Sequence, residues 1–412
     1  MKPLWILLLL LVTYIHASVL QEAIDKAPPG SVLTLPKGIY RGNILIDKSL
    51  TLQGKEKEVI IQGEKKGSVI TITAPHVTLS NLTISGSGKR RENLDAAITL
   101  KQADHCSIQE SRLTDAFYGI VINMSSNIEI KNNQLSSKEQ RIPLRGDAIK
   151  LWYSHHVEIT DNTFSTMRDL SLLFTHHINI THNTFLHNRL ALNLSHSKHI
   201  RIEENQFRFN EVGMMIMGGK DINVTRNTVT SCSGVAGIGI VVDKVSQFTM
   251  ENNTLKYNTK ALYIDSKRSE QGSQRFIRHN RILYNGEALH FHSYIKNNVI
   301  TYNSIDGNIE DVIKDVKGSY TGQNIIEYNY WDRYEGFDKD RDNIGDTPYK
   351  KLQYADELWF YQHRMRFFYG TPVMALVNFL ARIAPFSEPL LLLEDTKPLM
   401  TPPETPTLQL YP

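Results

Sequence analysis

The 412-residue chain carries 46 Lys and Arg against 43 Asp and Glu, so its formal charge is only +3 and no basic footprint for nucleic acid stands out. The length exceeds that of a usual single domain, yet a repeat architecture reaches it without a larger globular core. Cys106 and Cys232 allow at most one disulfide.

The chain opens with Lys2, an apolar run from Leu4 to Val12, and then Ala17 and Ser18, the charged, apolar and small-residue order of a secretory signal. The run is too short to span a bilayer comfortably, so residues 1–17 are expected to be removed and the mature protein to work outside the cytoplasm. An uncleaved N-terminal anchor is the alternative. From Val19 to Ala27, Leu20, Ala23, Ile24 and Ala27 fall at helical spacing before Pro28, Pro29 and Gly30 stop the helix. Strand-like stretches follow at Val32–Leu35, Ile44–Ile46, Val59–Ile61 and Val69–Ile72.

A repeat then takes over. An apolar residue, two of any type, Asn, one of any type and a second apolar residue recur nine times, from Ile130–Leu135 to Ile326–Trp331, with starts 21 to 29 residues apart. An earlier copy, Ile108–Leu113, has Ser111 in place of Asn. Eight residues before most of these units stands another apolar residue, among them Leu100, Ile122, Leu151, Leu172, Leu194, Ile216 and Val242, each with an apolar partner two positions earlier. Period-two alternation in short stretches means strands, and stacked units at the inter-strand spacing make an all-β solenoid. The reading is a right-handed parallel β-helix over residues 18–331, with a short N-terminal capping helix. The Asn column is structural, since Asn tolerates the left-handed conformation of a sharp corner and its amide can bond its counterpart one turn away. In this register the cysteines lie about five turns apart, roughly 24 Å, too far to bridge.

After Trp331 the period is lost. An Asp-rich closing loop occupies residues 332–354, in which Asp338, Asp340, Asp342 and Asp346 stand at positions one, three, five and nine of a calcium-loop spacing. Tyr349 stands where a bidentate Glu would close such a site, and a solvated acidic loop is the other reading. Residues 355–412 form an α-helical and extended tail. It begins with an aromatic stretch to Tyr369, then a helix that Thr371 can cap and Pro372 can start, with Val373, Leu376, Val377 and Leu380 on one face. The opposite face, with Met374, Phe379 and Ile383, is also apolar, so this segment is expected to dock on a partner. A plain cap on the solenoid end is the alternative.

Candidate metal ligands come from outward positions. Met215 and Met217 alternate with inward Met214 and Ile216, and thioether sulfur suits Cu(I). Further along that face lie Tyr263, Asp265, His290 and His292. A hydrophobic contact patch with Trp152 and Leu173 is the plainer reading of the methionines. Three residues before the repeat anchors, His156, His177 and His199 fall on consecutive turns with His105 earlier in the column, and stacked imidazoles can hold a metal. Asn127, Asp221 and Gln247 occupy the same column, as a generic polar corner would. Asp147 with Arg145 and Lys150 is the one outward group suggestive of a polysaccharide lyase or epimerase, and it reads as a loop salt bridge.

The entry from Ala23 through Gly30 to Tyr40 and the Asn repeat resemble parallel β-helices in general. The block Asn329-Tyr330-Trp331-Asp332 through Ile344-Gly345-Asp346-Thr347-Pro348-Tyr349, followed by the aromatic stretch, the apolar helix and the segment from Pro385 to Pro398 with Leu390 to Leu393 inside it, resembles the NosD family. The resemblance implies a periplasmic accessory subunit that works without catalysis. Its partners would be membrane ABC transporter subunits, a copper-chaperone lipoprotein and nitrous-oxide reductase, whose copper centre it would help to build. It supplies a copper ion as transient cargo and names no ligands.

Overall fold

The computed structural model describes residues 19–404, apart from residue 57 and the segments 267–271, 316–320, 354–363, 365–367, 369–370 and 385–388. The proposed signal segment and most of the aromatic stretch lie outside the described residues. The protein is a parallel β-solenoid of about 13 turns, with strands stacked into one sheet of 22 and another of 13 among the described residues. One repeat is one turn, for Ile108 pairs with Ile130, Ile130 with Ile159, Ile159 with Ile180 and Ile180 with Ile202. The column eight residues earlier also stacks in register from Leu100 to Val242 and is buried throughout. A third column holds Phe164, Phe185 and Phe207, whose rings stack at 4.9 and 4.6 Å.

The repeated Asn residues form one buried ladder. Asn183 is typical: its backbone N–H and its Nδ2 both donate to Oδ1 of Asn205, at 2.8 and 3.1 Å, and Nδ2 also donates to the carbonyl of Ile159 at 2.7 Å. The same links run from Asn133 through Asn162, Asn183, Asn205, Asn227, Asn253, Asn280 and Asn303 to Asn329. Ser111 joins at the N-terminal side through its backbone N–H.

The ladder is not where the backbone turns left-handed, contrary to the sequence expectation. The residue before each ladder Asn takes positive φ, for example Asp161 (57°), His182 (57°), Glu204 (56°), Arg226 (54°) and Tyr302 (57°). These side chains have no shared preference for that conformation, which costs an L-residue roughly 1–2 kcal/mol. The following Asn offsets the cost by satisfying backbone groups at the corner. A second ladder, Asn188–Asn210 and Asn258–Asn285–Asn308, supports another corner. Cys232 fills its gap, donating its backbone N–H to Asn258 Oδ1. Both cysteines are free and buried, and burial pushes the Cys232 thiol up to about 12.

Each end is covered. The helix Val19–Lys26 lays Leu20 and Ile24 on the first turn, while Ala23 is exposed. At the other end strand Tyr349–Gln353 pairs antiparallel with Leu390–Asp395, burying Leu392 and Leu393. Asp395 Oδ2 accepts from the backbone N–H and Nδ2 of Asn329 and from Nε1 of Trp331, and so ends the ladder. Residues 355–412 are therefore not one docking unit, because 390–400 belong to the solenoid end.

Replacing Asn205 with Ala strands the N–H donors of Asn183 and the carbonyl of Ile180, and should cost about 2–4 kcal/mol by thermal or denaturant unfolding. Asn205→Ser, which mimics Ser111, should cost less. Equal losses would contradict the ladder account.

Candidate functional site

The strongest convergence of chemistry-bearing side chains lies along one corner of the solenoid. His156, His177 and His199 occupy successive turns with ring centroids 4.8 Å apart, all at left-handed positions with φ of 53°, 56° and 54°. Sequence reasoning missed the residues beside them. His155 and His176 stack at 4.7 Å, and within each His-His dipeptide the two Nδ1 atoms approach to 2.9 Å. The signal was the His-His dipeptide repeated 21 residues apart. His199 Nδ1 stands 2.8 Å from Asp221 Oδ2, and Glu129, Glu158 and Arg201 line the same groove of about 720 Å³. His105 stacks separately on His76 at 4.9 Å. Partial burial and then the neighbouring imidazoles hold His176 below the ordinary His range.

The methionine face follows the alternation: Met214 and Ile216 are buried, Met215 is half-buried and Met217 is exposed. Met215 also packs against a small buried cluster of Leu190, Val212 and Val241. The histidines further along do not join them. Successive turns carry Met215, Val241, Tyr263 and then His290, so three inter-strand steps, roughly 14 Å, separate the sulfur from the imidazole. His290 is not exposed as its outward register implied. It is fully buried, with Nδ1 on Glu287 and Nε2 2.9 Å from Asp315. Those two carboxylates raise its pKa against the opposing effect of burial. Lys260 completes the cluster at 2.6 Å from Glu287, so His290 is committed to a buried charge network, while His292 stays near the surface 3.2 Å from Asp315.

In the closing loop, Asp338, Asp340 and Asp342 bring carboxylate oxygens within 4.8 Å of one another. Asp342 foremost raises the pKa of Asp340. Asp346 is not with them and accepts instead from the backbone N–H of Lys339 at 3.0 Å. Tyr349 is spent on the core: its ring stacks on Trp331 at 4.5 Å and its hydroxyl donates to Asp311.

Asp147 pairs with Arg168 at 2.6 Å rather than with Arg145, which bonds the carbonyls of Gln140 and Thr166. Asp169 and Arg189 complete a network in which the two acids are buried and the two arginines reach toward the surface. Each acid there has an arginine partner, while burial and then Asp147 push the Asp169 carboxyl up to about 6.

The tail helix spans Pro372–Ile383, with Thr371 accepting from the backbone N–H of Met374. Its buried side is narrow, and both of the apolar faces read from the sequence contribute exposed residues. Met374 and Ala381 are buried, whereas Val373, Leu376, Phe379, Leu380 and Ile383 are 50–67% exposed. No helix among the described residues is long and apolar enough to cross a membrane.

Solved structures share the architecture. The A-module of the Azotobacter vinelandii mannuronan C-5 epimerase AlgE6 aligns with a TM-score of 0.60 over 75% of this chain and 92% of its own, at 13% identity, which shows the fold alone. A family model described as "Periplasmic copper-binding protein (NosD)" matches residues 136–336. A "Probable ABC transporter binding protein NosD" of Pseudomonas aeruginosa is 32% identical over 369 residues, covering 85% of this chain and 84% of the relative. Its namesake from Stutzerimonas stutzeri is 26% identical over 408 residues, covering 90% and 89%. With a relative above 30% identity along most of both chains, and with the stacked repeat and its closing end in place, this chain belongs to the NosD family.

Proposed function

We propose that this protein is an exported accessory subunit that docks on a membrane-embedded ABC transporter and carries copper as cargo toward the maturation of nitrous-oxide reductase, by binding rather than by catalysis. The observation that carries the reading is the tail helix. Five large apolar side chains face outward on 12 residues, in a chain whose relatives bear the name of transporter binding proteins. An exposed apolar stripe of this kind is costly without a partner, and the helix is too short to be a membrane span itself. A copper-chaperone lipoprotein is the expected donor, following the family resemblance.

The donor chemistry fits the cargo at Met215 and Met217. Two thioethers at alternate positions on one strand point the same way, and soft sulfur suits Cu(I). His292 and the buried His290 are too far along the solenoid to share that ion. A calcium ion in the closing loop is supported by the three converging carboxylates, whose mutual repulsion a divalent cation would relieve.

Leu376→Ser with Leu380→Ser should leave thermal stability within about 0.5 kcal/mol, because both side chains are exposed, and should abolish co-purification with the transporter subunits. Retained co-purification would place docking elsewhere. Deleting the whole tail is a poorer test, since it removes Asp395 and the end strand. Met215→Leu with Met217→Leu should preserve the fold and weaken Cu(I) binding about tenfold or more in a competition titration, whereas unchanged affinity would leave only a contact patch. Calorimetry of calcium-stripped protein should show calcium binding that Asp340→Ala removes, and a flat titration of the unsubstituted protein would rule the ion out.

A further inference from the structure

We propose that one corner of the solenoid, where a ridge of aromatic and imidazole rings crosses three consecutive turns, is a contact surface for anionic phospholipid at the face of a membrane. The inference does not depend on the transporter reading.

The corner recurs as a five-residue unit. In 123–127, 152–156, 173–177 and 195–199 the third residue is buried and the other four reach the outer rim. The buried residues Ser125, Ser154, Thr175 and Ser197 tie the turns together, for Ser154 Oγ accepts the backbone N–H of Ser125 and Ser197 Oγ that of Thr175. The second and fifth residues are left-handed, with φ of 47° at Tyr153 and 53° at His156, so the chain bends on both sides of the buried rung and the rim is convex. That geometry is generic, and the side chains it carries are not. Three successive units read Trp-Tyr-Ser-His-His, Leu-Phe-Thr-His-His and Ser-His-Ser-Lys-His. Trp152 pairs in register with Leu173, Trp152 packs on Tyr153 at 5.9 Å, and the rings of Tyr153, Phe174 and His196 stack at 5.1 and 5.3 Å. Stacking fixes these rings without covering them: Trp152, Tyr153 and Phe174 stay 43–55% exposed.

Charge selects the occupant. The four units contain no Asp or Glu, while Lys198 stands exposed on the ridge and pairs in register with exposed Lys220 one turn on. The acids that bound this span are engaged: Asp104 accepts from the backbone N–H of Ser126, and Asp221 lies 2.8 Å from His199 Nδ1. Glu129 and Glu158 stand past the histidines on the adjoining face, with Arg201 in the same groove. Desolvation first, and then the neighbouring imidazoles, hold His176 and His177 below the ordinary His range, which keeps their rings uncharged near neutral pH. The ridge is then a row of apolar bodies with polar N–H and O–H tips, edged by lysines. Trp and Tyr rings of this amphipathic kind settle at the headgroup level of a bilayer, and lysines beside them are drawn to an anionic surface. The anchors of a protein interface sit instead in packed, desolvated pockets, which a convex rim does not offer.

The test uses mature protein carrying Leu376→Ser and Leu380→Ser, so that the exposed face of the tail helix does not contribute. It should float with vesicles of phosphatidylcholine containing about one third phosphatidylglycerol, and less with phosphatidylcholine alone or in high salt. Trp152 gives a direct reading, because Trp331 is buried and Trp359→Phe can be added: brominated phosphatidylcholine in the same vesicles should quench its fluorescence. Trp152→Ser with Tyr153→Asn and Phe174→Asn places Asn at the left-handed positions it tolerates, and should keep the parent's melting temperature while lowering vesicle affinity about tenfold or more. Lys198→Glu with Lys220→Glu, at two exposed positions, gives a second readout if the triple variant is unstable, and should remove the preference for anionic vesicles. Failure of the parent to float would overturn the proposal and leave the ridge as a protein-docking face. Flotation unchanged in either folded variant, or an unquenched Trp152, would overturn it as well. Loss of transporter co-purification in the tail-helix variant bears only on the function proposed above.

Discussion

The constraint on which the molecule depends is the need to satisfy backbone groups at its inner corners. A parallel solenoid pairs its strands turn upon turn, but every corner interrupts that pairing and forces a residue into positive φ. The Asn ladder resolves this locally, because each amide donates to the corner ahead of it and accepts from the corner behind. With those positions fixed, the side chains at the left-handed residues are free of structural duty. That is why Asp, His, Glu, Arg and Tyr all occur there, and why the outer rim is available for chemistry.

The fold was legible because its two strongest signals, apolar alternation and Asn recurrence, each report one packing column. Where the reading failed, the information lay between turns. The left-handed residue was misplaced by one position because Asn favours that conformation on its own, whereas here its hydrogen bonds serve its predecessor. The second ladder escaped notice because Cys232 interrupts it. His155 and His176 were passed over because a single column was followed, while the corner turns two neighbouring columns onto one rim. His290 was read as outward, which its strand register supports, but Glu287, three residues before it, and Asp315, 25 residues after it, enclose it, and alternation cannot report the second of these.

The outer surface divides by donor softness. Sulfur at Met215 and Met217 lies on a flat strand, where alternate residues point together. The imidazoles lie on a corner, where consecutive residues do. Carboxylates gather in the closing loop, which has no strand register to hold them and instead uses Asp338 to anchor the backbone N–H groups of Arg341, Asp342 and Asn343. Three kinds of local backbone thus present three kinds of donor.

The Asp395 carboxylate closes the ladder from 66 residues beyond Asn329. In a chain that emerges from its N-terminus, every earlier turn can add to the one before it as soon as it appears, but the last rung has no acceptor until nearly the whole polypeptide has arrived. The growing edge therefore stays a template for strand addition until late, and the final segment acts as a check on completeness. A chain cut short between Trp331 and Leu390 would keep its solenoid and still present an open, adhesive end.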